Sequence, residues 1–383
     1  MHRREALAAL LACPAVVWSA RAENLLRGLL EGAGPAARRV LANRRGFQPQ
    51  LLLTRCVRAG AGWQAVQTHR FGLQPRRWFA AASWVKLPLA ALLVEELERR
   101  SLDWIDGGLR LDVDRDRACA PLPPPEPGGW RIDALLQAML VVSDNLAYNA
   151  LYELLGSDAI HARLHALGFP LVRMATRLGC PQPRSPGKLG VRLRDRTGAV
   201  AWESPAQSTE HFQRFPFGAA RAGRAWAENG VVSAGAHDFS DSNFIPLTDV
   251  HRLVLELGGS IGPRFALSPR ARRWFARTLS LLPRQAVLLG TDQRALPDDY
   301  AKWLLPVAAM SGLRVASKNA QSYGWIGDAA FVVDEARNLA FALTVVLNVD
   351  RDGVLNDGVY AYAEIGRPFL RELGTALLAD PHA

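Results

Sequence analysis

The chain has 383 residues, 49% hydrophobic and 21% charged, enough to bury a large core as one domain or two. Its formal net charge is +10, but the arginines are scattered, and no helix-turn-helix, zinc-finger or stacking-aromatic pattern accompanies them. That argues against nucleic acid as a partner.

The first 22 residues read as an export signal. Arg3 and Arg4 form a charged start, an apolar stretch runs from Ala6 to Trp18, and Ala20-Arg21-Ala22 supplies a small-x-small cleavage site. The paired arginines match only the start of a twin-arginine signal. Leu10-Leu11-Ala12-Cys13 has the form of a lipobox ending at an anchoring Cys13, although Pro14 opposes it. No later run approaches the ~18 apolar residues of a membrane span, so membrane contact is expected only through such an anchor. The remaining Cys56, Cys119 and Cys180 lack metal-type spacing and leave one disulfide or three thiols open.

Strand patterns at 49–58 and 63–71 are joined by Ala-Gly-Ala-Gly. Helix-period patterns follow at 84–100, 131–142, 145–155 and 158–167, the last two ended by Gly156 and Gly168. A Pro/Gly loop occupies 120–129. From about 170 to 245 the periodicity is weak and Gly, Pro and Ser are frequent, which reads as loops and short elements. Helical patterns return at 248–258 and 268–281. Apolar, β-branched strands at 313–321, 329–334 and 339–349 and a helix over 359–378 close the chain. Strands at both ends with helices between predict an α/β (α+β) fold. Its antiparallel sheet is closed by the two chain ends and flanked by N- and C-terminal helices, beside an all-helical subdomain. The domain is expected over 40–383, with 170–300 as an enlarged helical and loop insertion.

Only four of the 46 basic side chains are lysines: Lys86, Lys188, Lys302 and Lys318. A chain that otherwise uses arginine keeps a lysine where the amine must give up its proton, which arginine cannot do. Lys86 follows Ser83 by three residues, and on a helix starting at Ser83 the two share a face. The N–H groups of the first turn favour a developing oxyanion there, and a desolvated lysine can deprotonate a serine. Alone, this spacing is common, and an N-capping serine with a surface lysine explains it. It is followed, however, by Ser143-Asp144-Asn145 at the junction of two helices and by Lys318-Asn319-Ala320 late on a strand that enters a Tyr-Gly turn.

In that order the three stretches resemble the S-x-x-K, S-D-N and K-T-G motifs of the serine β-lactamase and penicillin-binding protein superfamily. The stretch SDNLAYNALYELLG and the 60-residue interval from Ser83 to Ser143 are closest to its class A branch. The resemblance implies a β-lactamase/transpeptidase-like fold and an acyl-enzyme formed on Ser83, with Lys86 as its base. Ser143 would relay a proton to the leaving group, and Asn145 would bond the substrate's amide. Asp144 would be structural. Lys318, with Asn319, would anchor a substrate carboxylate, and the N–H groups of Ser83 and Gln321 would form the oxyanion hole. No cofactor or metal is implied.

Two departures stand out. Asn319-Ala320 replaces the family's Thr-Gly: Asn319 can substitute as a donor, whereas Ala320 adds a methyl to the groove. The family's E-x-x-L-N glutamate, which activates the deacylating water, has no counterpart in MATRLGCPQPRSPGK (174–188). Glu203 and Glu210 are the nearest downstream carboxylates. His161 and His165 share a helical face as zinc ligands would, but no glutamate follows the first, so they read as a surface pair. NVDRDG (348–353) mimics half an EF-hand loop, yet follows a strand and has Val359 at the twelfth position, so it reads as a connecting loop.

The reading is therefore an exported, periplasmic or lipid-anchored serine hydrolase. It is expected to act as a monomer on a small-molecule or peptidoglycan-stem substrate, a D-Ala-D-Ala-like peptide or a β-lactam. The alternatives are a class A β-lactamase with an unusual deacylation base and a non-catalytic cell-wall peptide binder.

Overall fold

The computed structural model describes residues 20–113, 129–179, 187–211 and 213–380. Residues 1–19 of the expected export signal, with Cys13, lie outside the described residues, while Ala20-Arg21-Ala22 begin the first helix; Cys119, Cys180 and all of the 120–129 loop except Gly129 lie outside as well. Cys56 is a buried free thiol.

Three helices open the described chain: α1 (Ala20–Ala33), α2 (Pro35–Ala42) and the single turn α3 (Arg44–Phe47). The hairpin β1 (Gln50–Ala59) and β2 (Gly62–Phe71) leads through a 3-10 turn to α4 (Lys86–Arg99). Next come β3 (Arg110–Val113), β4 (Trp130–Arg131), α5 (Ile132–Val141), α6 (Asn145–Leu155) and α7 (Ser157–Ala166). A run of short strands follows: β5 (Gly187–Lys188), β6 (Val191–Arg194), β7 (Val200–Ser204), β8 (Gln207–Ser208), β9 (Arg221–Ala222), β10 (Ala225–Glu228), β11 (Val231–Ala234) and β12 (His237–Asp238). Then come α8 (Leu247–Gly259), α9 (Pro269–Thr278) and α10 (Thr291–Arg294). The chain ends with β13 (Leu313–Ser322), β14 (Trp325–Asp334), β15 (Leu339–Asn348), β16 (Val354–Leu355) and α11 (Arg367–Ala379).

The main sheet has the antiparallel order β13-β14-β15-β1-β2, so the two chain ends close it as the strand pattern predicts. It separates two cores. Leu51, Leu53, Leu343 and Val345 face Leu26, Phe369 and Leu373 of the terminal helices. Their neighbours Leu52, Ala342 and Val346 face the helical side with Leu93, Leu136 and Val254. Side chains alternate along a strand with a period of two, so strands covered on both faces are apolar almost without a break. Helix α8 is fastened to the sheet by buried His251, whose Nε2 lies 2.7 Å from Thr54 Oγ1 and whose Nδ1 lies 2.9 Å from Thr344 Oγ1.

Residues 187–238 differ from the loops and helices expected of this region, because they form strands. β6 and β7 extend β3 and β4 into a four-stranded sheet, while β10 pairs with β11 and, in parallel, with β16. α8 and α9 bury Val250, Val254, Leu257 and Phe275 in the main core and belong to the framework. The NVDRDG segment is the expected loop after β15, and it delivers β16 to β10.

Candidate active site

Ser83 sits in the 3-10 turn Ala82–Val85, and Lys86 is the first residue of α4. Pro88 falls in the first helical turn, where its missing N–H costs nothing. The turn is pinned by Trp84, fully buried, whose Nε1 donates to the carbonyl of Lys318 at 2.8 Å. Its ring lies against Gly327 of β14, where a Cβ would come within 2.5 Å of the indole and 2.4 Å of the Val345 carbonyl oxygen. Glycine is what lets the Ser83 turn lie so close to the sheet.

Ser143 occupies the corner between α5 and α6 in a left-handed conformation (φ 62°), and Ala82 beside Ser83 is also left-handed (φ 43°). Such non-glycine positions cost ~1–3 kcal/mol each and persist where the surroundings impose them. Here the constraint at Ser143 is Asp144, which caps α6 by accepting from Ala147 N at 2.8 Å and also accepts from Gln293 Nε2 at 2.5 Å. The expected structural part for Asp144 matches this geometry.

The two serines and two lysines meet. Lys86 Nζ lies 3.0 Å from Ser83 Oγ, 3.2 Å from Ser143 Oγ, 2.5 Å from the Ser143 carbonyl oxygen and 2.7 Å from Asn145 Oδ1. Ser143 Oγ donates to Ser83 Oγ at 2.7 Å and accepts from Lys318 Nζ at 2.8 Å. The Ser143 carbonyl and Asn145 Oδ1 can only accept, and they take both N–H bonds of a neutral Lys86 amine, which leaves its lone pair for the Ser83 hydroxyl. Burial pushes the Lys86 amine well below its usual value, the neighbouring Lys318 cation adds to this, and Asp144 opposes it. Asn145 thus holds the lysine through its Oδ1, while the residue itself stays exposed at the cleft, where its amide can meet a substrate.

Lys318 is pushed down to about 7, mainly by burial, with Asp328 raising and Lys302 lowering it. Asp328, on the neighbouring strand β14, is itself fully buried and accepts from the N–H groups of Trp303 and Leu304 at 3.2 and 3.3 Å. Sequence reasoning assigned neither Lys302 nor Asp328. The signal was the lysine count, for all four lysines prove to be buried: Lys86 0%, Lys188 8%, Lys302 2% and Lys318 1% exposed. Asn319 is buried too. Its Nδ2 donates to the Tyr300 carbonyl and its Oδ1 accepts from Lys318, so it orients the lysine and is not presented as a substrate donor. Ala320 is 4% exposed and packs in the core, so its methyl does not fill the groove.

Ser83 opens into a cleft of about 590 Å³ shared with Asn145, Gln321 and the segment Thr176–Gly179. That segment brings no carboxylate. Glu203 and Glu210 do not line the cleft either: Glu203 pairs with Arg192, and exposed Glu210 donates its N–H to Asp158. The carboxylates that do line it are Asp238, which accepts from Ser240, and Asp241, 2.7 Å from Arg214. A larger cavity of about 960 Å³ lies behind α4 and contains none of the expected site residues. Its polar wall is already paired, with Glu95 bound to Arg163 at 2.7 and 2.8 Å.

The expected surface pair on α7 is corrected in one member. His161 is 2% exposed, its Nδ1 lies 2.7 Å from the Ser157 carbonyl, and its Nε2 accepts from Met174 N at 2.9 Å. It is a core histidine that burial pushes down to about 4, and it fixes the start of the segment leading to the cleft. Among the described residues no three His, Cys, Asp or Glu side chains form a metal cluster.

No curated protein matches the chain. The solved structure of PBP-A is 14% identical over 93% of this chain and 97% of its own, with a TM-score of 0.53. A beta lactamase from Burkholderia vietnamiensis is 16% identical over 95% of this chain and 97% of its own, with a TM-score of 0.51. At such identities the likeness is one of fold. Residues 58–214, which include Ser83, Lys86, Ser143 and Asn145, match the model described as the beta-lactamase enzyme family. The chain thus has the fold of the serine β-lactamases and penicillin-binding proteins, and the segment that holds Ser83, Lys86 and Ser143 carries the sequence pattern of the beta-lactamase enzyme family.

Proposed function

We propose that the protein is an exported, monomeric serine hydrolase of the class A-like type that forms an acyl-enzyme on Ser83. Its substrate would be a carboxylate-bearing amide, ester or β-lactam, with D-Ala-D-Ala-like peptidoglycan stems as the natural class. The observation that carries this reading is the hydrogen-bonded set of Ser83, Lys86, Ser143 and Lys318 around a buried, proton-poor lysine.

The steps follow from the geometry. The Lys86 lone pair takes the Ser83 hydroxyl proton as Oγ attacks the carbonyl carbon. The N–H groups of Ser83 and Gln321 stabilise the oxyanion. Collapse breaks the bond to the leaving atom, which takes the proton of Ser143 Oγ, and Lys86 returns its proton to Ser143 across 3.2 Å. Lys318 holds the carboxylate of the departing half and polarises Ser143. A non-catalytic binder would need neither the nucleophile nor its base.

Deacylation by water needs a second base. General-base assistance is worth ~10² to 10⁴ in rate, and the only carboxylates lining the cleft among the described residues are engaged with Ser240 and Arg214. The acyl-enzyme should therefore persist. Intact-mass measurement after incubation with benzylpenicillin tests both points. The expected result is one stable adduct, absent from folded Ser83→Ala. Labelling of that variant removes the nucleophile assignment, and fast multiple turnover without an adduct removes the slow-deacylation reading.

A further inference from the structure

Five rings line the same cleft as Ser83 and Gln321: Trp78, Trp226, His237, Phe239 and Tyr323. They form one continuous wall. Trp78 and Phe239 stack at 4.2 Å between centroids, and Trp226 and His237 stack at 3.7 Å. Tyr323 joins them at 5.2 Å from Phe239 and 5.6 Å from Trp226. Chain-distant segments supply them: Trp78 ahead of the nucleophile, Tyr323 from the β13–β14 turn, and the other three from the short-strand region. Trp78 and Phe239 are buried and back the wall, while Trp226, His237 and Tyr323 remain half-exposed.

The rings of the wall carry no net charge, while exposed Asp238 beside them keeps its carboxylate, held below its usual value by Ser240. Burial lowers the proton affinity of His237, which stays neutral near pH 7. Asp238 is bonded to Ser240, and Asp241 is paired with Arg214. Position assigns the wall to one half of a substrate. Ser143 and Lys318, which would protonate and anchor the leaving half, do not line it, whereas the oxyanion residue Gln321 does. Half-exposed aromatic faces in a shared pocket bind flat apolar groups through burial and offset stacking.

We infer that this wall is a subsite for an uncharged ring on the acyl side of the substrate, which makes the enzyme selective for ring-bearing acyl donors. The inference rests on the acyl-enzyme reading above. Its test is the second-order rate of Ser83 acylation, followed by intact mass, with three probes sharing one reactive nucleus. These are 6-aminopenicillanic acid (no acyl side chain), benzylpenicillin (a neutral side-chain ring) and carbenicillin (the same side-chain ring with an added carboxylate).

Benzylpenicillin should react at least ~10-fold faster than 6-aminopenicillanic acid, within the ~10- to 200-fold that an apolar pocket can discriminate, and faster than carbenicillin. Trp226→Ala should lower the ratio of benzylpenicillin to 6-aminopenicillanic acid at least ~5-fold, Trp226→Leu should lower it while keeping bulk, and Trp226→Phe should retain most of it. Equal rates for the three probes, or a ratio unmoved in Trp226→Ala and Trp226→Leu, overturn the subsite and leave the acyl-enzyme intact. No adduct from any probe removes the acyl-enzyme reading and the subsite together.

Discussion

A single side chain links the Ser83 turn to the strand that carries Lys318. Trp84 is next to Ser83 in sequence, fully buried, and bonded through Nε1 to the Lys318 carbonyl at 2.8 Å. Trp84→Phe removes that donor and leaves a void over Gly327. The lost hydrogen bond is worth ~0.5–1.5 kcal/mol. The smaller ring leaves ~40 Å³, or ~1 kcal/mol of cavity at about 24 cal/mol per Å³. The ~50 Å² of apolar surface no longer buried adds ~1 kcal/mol. Together these come to ~3 kcal/mol. Unfolding entropy near 2.1 cal/mol/K per residue gives a chain of this length about 0.8 kcal/mol/K, so calorimetry should show Tm falling by ~4 °C. Acylation should also slow about tenfold, because the turn and the lysine strand lose their common reference. A Tm change below about 1 °C would refute the energetic account. A lowered Tm with an unchanged acylation rate would refute the coupling.

Lys86→Arg keeps a cation but removes the proton acceptor, so acylation by a reactive β-lactam should fall by ~10² to 10⁴; a rate near that of the unaltered protein would falsify the base. Lys318 has a folded pKa of about 7, so its cation, and with it carboxylate capture, is present below that pH and lost as pH rises through it. The kcat/KM for acylation should therefore carry an alkaline limb near pH 7. Asp328→Asn should move that limb to lower pH and Lys302→Met to higher pH, since the carboxylate raises and the ammonium lowers the Lys318 value. Limbs that stay in place in both variants would show that Lys318 is not the group responsible. Gly327→Ala would push a methyl into the Trp84 ring and the Val345 carbonyl, and should lower Tm at least as far as Trp84→Phe, since neither neighbour can yield cheaply.

Much of this architecture is legible in the residues. The long strands at 50–71 and 313–348 and the helices at 86–99, 132–141 and 145–155 stand out as periodic or continuous apolar runs, because each turns one or both faces toward a core. The site is legible where chemistry fixes residue type at short range, as in Ser83 with Lys86 or Ser143 with Asn145. What escapes is whatever depends on chain-distant contact. The strands between 187 and 238 are two to five residues long and show no period. Trp226, His237 and Tyr323 look like scattered aromatics until β16 pairs with β10 and the sheet closes. The orientation of Asn319 toward Lys318 and Tyr300, and the fixing of Lys86 by Asn145, follow from packing that no spacing rule describes.

The burial of every lysine has a practical outcome in protein chemistry. Reagents that acylate amines consume exposed, unprotonated lysines first, and on this molecule the solvated charge is arginine, which they leave untouched. Lys86 is held proton-poor, but like the other three it is buried and tied, to the Ser143 carbonyl and Asn145, as Lys188 and Lys302 are to backbone carbonyls and Lys318 to Ser143. An electrophile shaped for the cleft, into which Ser83 opens, could thus be delivered there without competition from surface lysines, and the same scarcity closes the folded surface to lysine acetylation as a means of control.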